Sequence, residues 1–131
     1  MLAPCDKWDC HSVTSARVDM CIDNNGTWSD AFQFGYPTDT TWTLENQTFS
    51  MDVQLNQYDT TPQLSLTTAN NRIIVDDVIQ RVIHFNVLAA DIQTNLEPGT
   101  YVYDLVMVAT DGTRVPMMHG SVTVSQGVTY P

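Results

Sequence analysis

The sequence predicts an all-β sandwich, and three observations carry that prediction. Thr and Val are abundant while Ala is sparse, and short alternating apolar and polar runs recur between turn residues. No long window shows a 3.6-residue apolar period, so helix is confined to single turns. The length of 131 residues, 43 % of them apolar, fits one domain with one core.

Residues 1–18 read as an extended, polar, Cys-bearing N-terminal docking arm, and residues 19–131 as the sandwich. Trp28 stands before a strand holding Phe32 and Phe34, in the position of a core anchor. Met51, Val53 and Leu55 alternate with Asp52, Gln54 and Asn56, which predicts a half-buried strand with a polar outer face. The Asn70-Asn71 turn leads into a short strand from Ile73 to Val75, and Asp76-Asp77 reads as the next turn. A longer strand is expected from Val78 to Val87, with Ile79, Ile83, Phe85 and Val87 on one face. One helical turn fits Leu88 to Asn95. Tyr101 to Ala109 is the strongest strand, and Asp111-Gly112, a favoured two-residue hairpin turn, joins it to a final strand from Arg114 to Val124. The count is about seven to eight strands.

The stretch Leu96-Glu97-Pro98-Gly99-Thr100-Tyr101 narrows the fold to an immunoglobulin-like β-sandwich. In that fold a Tyr near the start of the penultimate strand turns its hydroxyl back to the backbone of the preceding corner. Pro98 and Gly99 make such a corner, Tyr101 follows, and the closing hairpin lies just beyond.

The chain also carries an ordered series of motifs. Gly26-Thr27-Trp28 opens it, Phe49 to Leu55 is central, and Leu88 to Asp91 supplies the helical turn. Then come Leu96, Gly99-Thr100-Tyr101-Val102-Tyr103-Asp104-Leu105, Asp111-Gly112, Gly120-Ser121-Val122-Thr123-Val124 and Val128-Thr129. Over residues 22–129 this series resembles a family of small tailed-bacteriophage virion proteins. The resemblance implies an immunoglobulin-like module of the kind found in baseplate adaptors, tail-fibre anchors and head accessories. It implies a structural role in the virion beside other virion proteins, in several copies of a symmetric assembly, after synthesis in the host cytoplasm. It transfers no catalytic residues. The N-terminal arm with Cys5, Cys10 and Cys21 departs from the family pattern.

Charge excludes some partners. Fifteen acidic against five basic residues give a formal net charge of −10, too few cations for the phosphate neutralisation that direct nucleic-acid binding requires. Anionic membrane surfaces are disfavoured on the same ground, and no apolar run reaches the ~18 residues of a membrane span. The start Met1 to Cys5 carries neither the basic nor the apolar region of a signal peptide.

Candidate chemistry is sparse. Cys5, Cys10, His11 and Cys21 are zinc-compatible in type, but the Cys-x4-Cys-His-x9-Cys spacing matches no common zinc motif. Free thiols are expected, with a Cys5–Cys10 disulfide or a zinc site as alternatives, and no cofactor is expected. Nucleophile elbows, phosphate loops and zinc-helix motifs are missing; His84 and His119 read as strand residues. A carbohydrate-binding module is the competing reading, with Trp42, in Thr40-Thr41-Trp42-Thr43, as the exposed aromatic that would meet a glycan. Asn25-Gly26-Thr27 and Asn46-Gln47-Thr48 read as turns.

Two interfaces are expected. On the strongest strand Val102, Val106 and Val108 alternate opposite Tyr101, Tyr103 and Leu105, so a free sandwich would leave a row of aliphatics wet. In the arm, Trp8 is a large apolar anchor between acidic neighbours, suited to a contact on an adjacent subunit.

Overall fold

In the computed structural model of the chain, residues 15–128 are described. Among them the strands are β1 (Ala16–Arg17), β2 (Met20–Asp23), β3 (Ala31–Gln33), β4 (Thr48–Gln54), β5 (Leu64–Thr67), β6 (Ile73–Asp77), β7 (Val82–Phe85), β8 (Gly99–Val108) and β9 (Arg114–Ser125). One helix, α1 (Ala89–Asn95), lies between β7 and β8. The larger sheet runs β1-β9-β8-β4-β5, with β2 continuing after β1 along the same edge of β9. The smaller runs β3-β7-β6. The chain is an immunoglobulin-like β-sandwich, as the sequence predicts.

Alternation builds the core. Phe49, Met51 and Val53 of β4 face Met107, Leu105 and Tyr103 of β8 in register, and all but Met107 are buried. The smaller sheet contributes Ile73, Ile83 and Phe85. Trp28 bridges to Val87 and is buried against Phe85, edge to face, with ring centroids 5.2 Å apart. It is the core anchor its position suggested.

The tyrosine corner forms: Tyr101 Oη donates to the Glu97 carbonyl at 2.6 Å. This bond ties the start of β8 to the turn that Pro98 and Gly99 make.

Three expectations change. The strand expected over residues 78–87 is a turn followed by a shorter strand, because β6 runs on through Asp76 and Asp77 and the chain reverses at Val78 to Arg81. The Asp77 carboxylate receives the Gln80 N–H at 2.9 Å, Arg81 takes φ +60°, and Ile79 is left exposed. Leu55 falls beyond the end of β4 and is also exposed. The sheet begins inside the expected arm, since Ala16 and Arg17 pair with Met118 and His119, and the Val18 N–H bonds the His119 carbonyl. The rest of the arm, residues 1–14 with Trp8, Cys5 and Cys10, lies outside the described residues.

A bulge in β9 shapes the interior. Leu105 pairs with Met118 and Val106 with Pro116, so Met117 is the extra residue, beside a proline that has no N–H for the ladder. Met117 and Met118 are both buried and both line one cleft, which strict alternation along a regular strand would not give.

Candidate functional site: an arginine-clamped loop and an apolar cleft

Arg81 organises the loop that follows β3. Arg81 has no solvent exposure, and its side chain donates to five backbone carbonyls. Nε donates to Phe34 at 2.7 Å, and Nη2 to Tyr36 at 2.7 Å. Nη1 reaches Asp39 at 2.8 Å, Ile79 at 2.9 Å and Trp42 at 3.1 Å. The guanidinium carbon also lies 5.3 Å from the Trp42 ring centroid, a cation–π contact. A planar five-donor fork suits such a set of acceptors, whereas a lysine ammonium does not. The left-handed backbone at Arg81 is uncommon for a residue with a Cβ, and the contacts converging on its head offset that strain.

The clamp fixes what the loop and the neighbouring β6–β7 turn present. Tyr36 is 80 % exposed and Ile79 62 %, although their carbonyls meet on one guanidinium. Val78, also exposed, is held through its carbonyl by the Leu44 N–H at 3.0 Å. Asp39 closes the loop: the Thr41 hydroxyl and N–H bond its carboxylate at 2.6 and 2.9 Å and, with the nearby Arg81 charge, hold its pKa below the ordinary value.

Behind the loop lies a cleft of about 560 Å³, open to solvent between the two sheets. Phe32, Phe34 and Trp42 form one wall, Met107, Met117 and Met118 the other. Ala16 and Val18 stand at the side where β1 borders β9. The β9 bulge supplies the second methionine. The volume falls within the size range of small-ligand sites, and the lining is mainly apolar.

Other expected site residues are placed as follows. Trp42 is half-buried under Arg81 and on the cleft wall, so the exposed platform expected of it is not there. Val102 and Val108 are half-buried on the outer face of the larger sheet, and Val106 on that face is only 9 % exposed, so the row is less wet than the sequence suggested. Across the same face the register sets Asp52 opposite Asp104 and Asp104 opposite His119, while Ser65 Oγ donates to Asp52 at 2.7 Å and Ser15 Oγ lies 2.6 Å from His119 Nδ1. His84 is half-buried on its strand's polar side, with Nδ1 2.7 Å from the Asp76 carboxylate. Cys21 is exposed on β2 as a free thiol. Among the described residues no group of three His, Cys, Asp or Glu side chains is placed to hold a metal. No described helix is long and apolar enough to cross a membrane. The Arg81 clamp was missed by sequence reasoning, because its acceptors are backbone atoms and leave no trace in residue identity.

No family model matches the chain, and no curated protein does. Among solved structures it is similar to CopC from Methylosinus trichosporium OB3b, at 12 % identity over 90 % of each chain, with a TM-score of 0.42. It is also similar to extracellular domains 3–5 of Drosophila OTK, at 12 % identity over 81 % of this chain and 32 % of that one, with a TM-score of 0.33.

Proposed function

We propose that this chain is a non-enzymatic structural component of a tailed-phage virion. It docks on neighbouring virion proteins, in several copies of a symmetric assembly, with the Arg81-clamped loop as its contact surface. The observation that carries this reading is the exposure of Tyr36 and Ile79 on backbone held by a single buried guanidinium. A large aromatic on the loop after β3 and a branched aliphatic on the β6–β7 turn, both held by one guanidinium, have the makings of an interface hot spot, and segments already ordered lose little entropy on docking. The virion assignment is supported by the motif series from Gly26 to Thr129. The partner's face must accept a strongly acidic protein, since the chain carries a net −10.

The test is incorporation. A Tyr36→Ser/Ile79→Asp double variant should melt within about 2 °C of the parent, because exposed substitutions change stability little, and should be lost from purified particles. Incorporation of the variant at full copy number would overturn the contact surface. Absence of the parent chain from particles would overturn the virion role, and glycan-array binding abolished by the same substitutions would reassign the loop to sugar recognition.

A further inference from the structure

We propose that the open edge of β3 and the apolar cleft beside it form one binding site, for an extended polypeptide segment of another protein. The segment adds to the smaller sheet as a fourth strand and sets alternate apolar side chains into the cleft. This surface is separate from that of Tyr36 and Ile79, and the inference does not depend on the virion reading.

The register leaves one side of β3 unpaired, because β3 has β7 as its single neighbour in the sheet. The Phe34 N–H bonds the Arg81 carbonyl at 2.9 Å and the Asp30 carbonyl accepts the Phe85 N–H at 2.9 Å, so every second residue, counted from Asp30, turns its main chain to β7. Ala31 and Gln33 turn theirs outward. Among the described residues nothing bonds those N–H and C=O groups.

The other sheet edges are blunted by the means proteins commonly use. On β5 the Ser65 carbonyl accepts Asn70 Nδ2 at 3.1 Å and Arg72 Nη1 at 3.0 Å, and the Thr67 N–H bonds Asn70 Oδ1 at 3.0 Å. β6 has an irregular register and ends on Asp76-Asp77. β1 and β2 are short, with Arg17, Asp19 and Asp23 exposed along them. β3 consists of Ala31, Phe32 and Gln33, with no charge, proline or bulge to deter a further strand.

The cleft adjoins that edge. Phe32, Gln33 and Phe34 line it, and Gln33 does so with its side-chain amide occupied by Gln80. Across the cleft stand Met107 of β8 and Met117 and Met118 of β9. Side chains on one face of an added strand recur every ~7 Å, and methionines adapt to whichever apolar groups arrive. Main-chain donors and acceptors beside an apolar wall suit an extended peptide, in which the ladder gives affinity and the cleft selects alternate side chains. A compact apolar ligand would leave the edge unpaired.

Two observations choose the donor. The alternating residues of this chain, such as Phe49, Met51 and Val53 of β4, are buried in its own core, so among the described residues a second folded copy has no free strand to lend. The net charge of −10, with Asp30 exposed just before β3, favours a segment that is neutral or basic at its outward positions.

The experiment selects displayed random peptides, about ten residues long, on the full chain and synthesises those enriched. They should carry apolar residues at alternate positions. At saturation, hydrogen exchange at the Ala31 and Gln33 amides should slow about tenfold or more, and the methyl resonances of Met107, Met117 and Met118 should shift. N-methylation of one alternate set of peptide amides should abolish binding, and of the other set should not. Failure to enrich any peptide, enrichment without alternation, equal binding by both N-methylated forms, or protection at Ile73 and Val75 in place of Ala31 and Gln33 would overturn the proposal. Methionine shifts with Ala31 and Gln33 unprotected would overturn it in favour of a small apolar ligand. Protection of Ala31 and Gln33 in the chain alone, rising with its concentration, would assign the edge to a second copy instead.

Discussion

Arg81 is a buried cation whose five hydrogen bonds all go to main-chain oxygens, from Phe34, Tyr36, Asp39, Trp42 and Ile79. Truncation would leave those carbonyls, one buried and four part-buried, without their shared donor, and each acceptor left unsatisfied is costly. Arg81→Lys keeps the charge but offers three donors on a point-like head, so it restores a fraction of the set. We expect Arg81→Ala to cost about 2–4 kcal/mol and Arg81→Lys at least half as much, measured by urea unfolding. A lysine variant as stable as the parent would show that charge, and not the fork, holds the loop. Tyr101 makes a smaller contribution of the same type. Its hydroxyl has one backbone acceptor and stands at the edge of the core, so Tyr101→Phe should cost about 1 kcal/mol.

At the scale of elements, the N-terminal strands depend on a glycine. A Cβ on Gly120, at φ +153°, would collide with the Val18 carbonyl and crowd the Asp19 carboxylate. Neither neighbour is free to move away. The Val18 N–H is bonded to His119 and its carbonyl accepts the Tyr103 hydroxyl at 2.6 Å, while Asp19 accepts the Ser121 N–H at 3.0 Å. Gly120→Ala should therefore part β1 and β2 from β9 and cost about 1–3 kcal/mol, with hydrogen exchange accelerated first at Val18 and residues 20–23. The sequence was most legible where the signal is local. The corner at Tyr101 and the helical turn each need only a few adjacent residues, and both are found. The hairpin after β8 also forms, but its turn is centred on Thr110-Asp111, with the Gly112 N–H bonded to the Ala109 carbonyl and Gly112 at φ +89°, and not on the expected two-residue Asp111-Gly112 pair. The sequence was least legible where a side chain answers distant backbone. Val78 and Ile79 continue the apolar pattern of a strand, yet Arg81, drawn inward by carbonyls some forty residues earlier, makes them the exposed face of a turn. The two short strands β2 and β5, four residues each, gave too little alternation to stand out. The cleft was illegible because it depends on a one-residue bulge, whose only trace is an adjacent Met-Met pair after Pro116.

For the whole molecule, pH reports how tightly the N-terminal strands are held. Asp19 has its pKa lowered chiefly by the Ser121 N–H, opposed by partial desolvation; Asp111 is lowered by the Thr113 N–H, and Asp39 by the Thr41 hydroxyl and N–H. A carboxyl whose folded pKa lies below its ordinary 3.8 stabilises the fold above that value, and the contribution is lost as pH falls from about 3.8 through the folded pKa. These groups are exposed, so the acid limb should be shallow. The alkaline limb has the opposite origin. Burial holds the Tyr103 phenol well above its ordinary 10.0, and the Asp19 charge pushes it further; Tyr101 is raised more modestly, mainly by burial. Both phenols stay neutral in the fold while the unfolded chain ionises them, so stability is undiminished below pH 10 and falls as pH rises above it. Calorimetry across pH should show Tm declining gently below about pH 4 and steeply above about pH 10. Tyr103→Phe removes the larger alkaline contribution and also the bond to Val18, so its Tm at neutral pH should be lower while its decline above pH 10 is shallower than the parent's. If Tyr103→Phe declined as steeply as the parent, its phenol would be reaching solvent in the folded protein. The contact of the Tyr103 hydroxyl with Val18, between β1 and β2, would then be open.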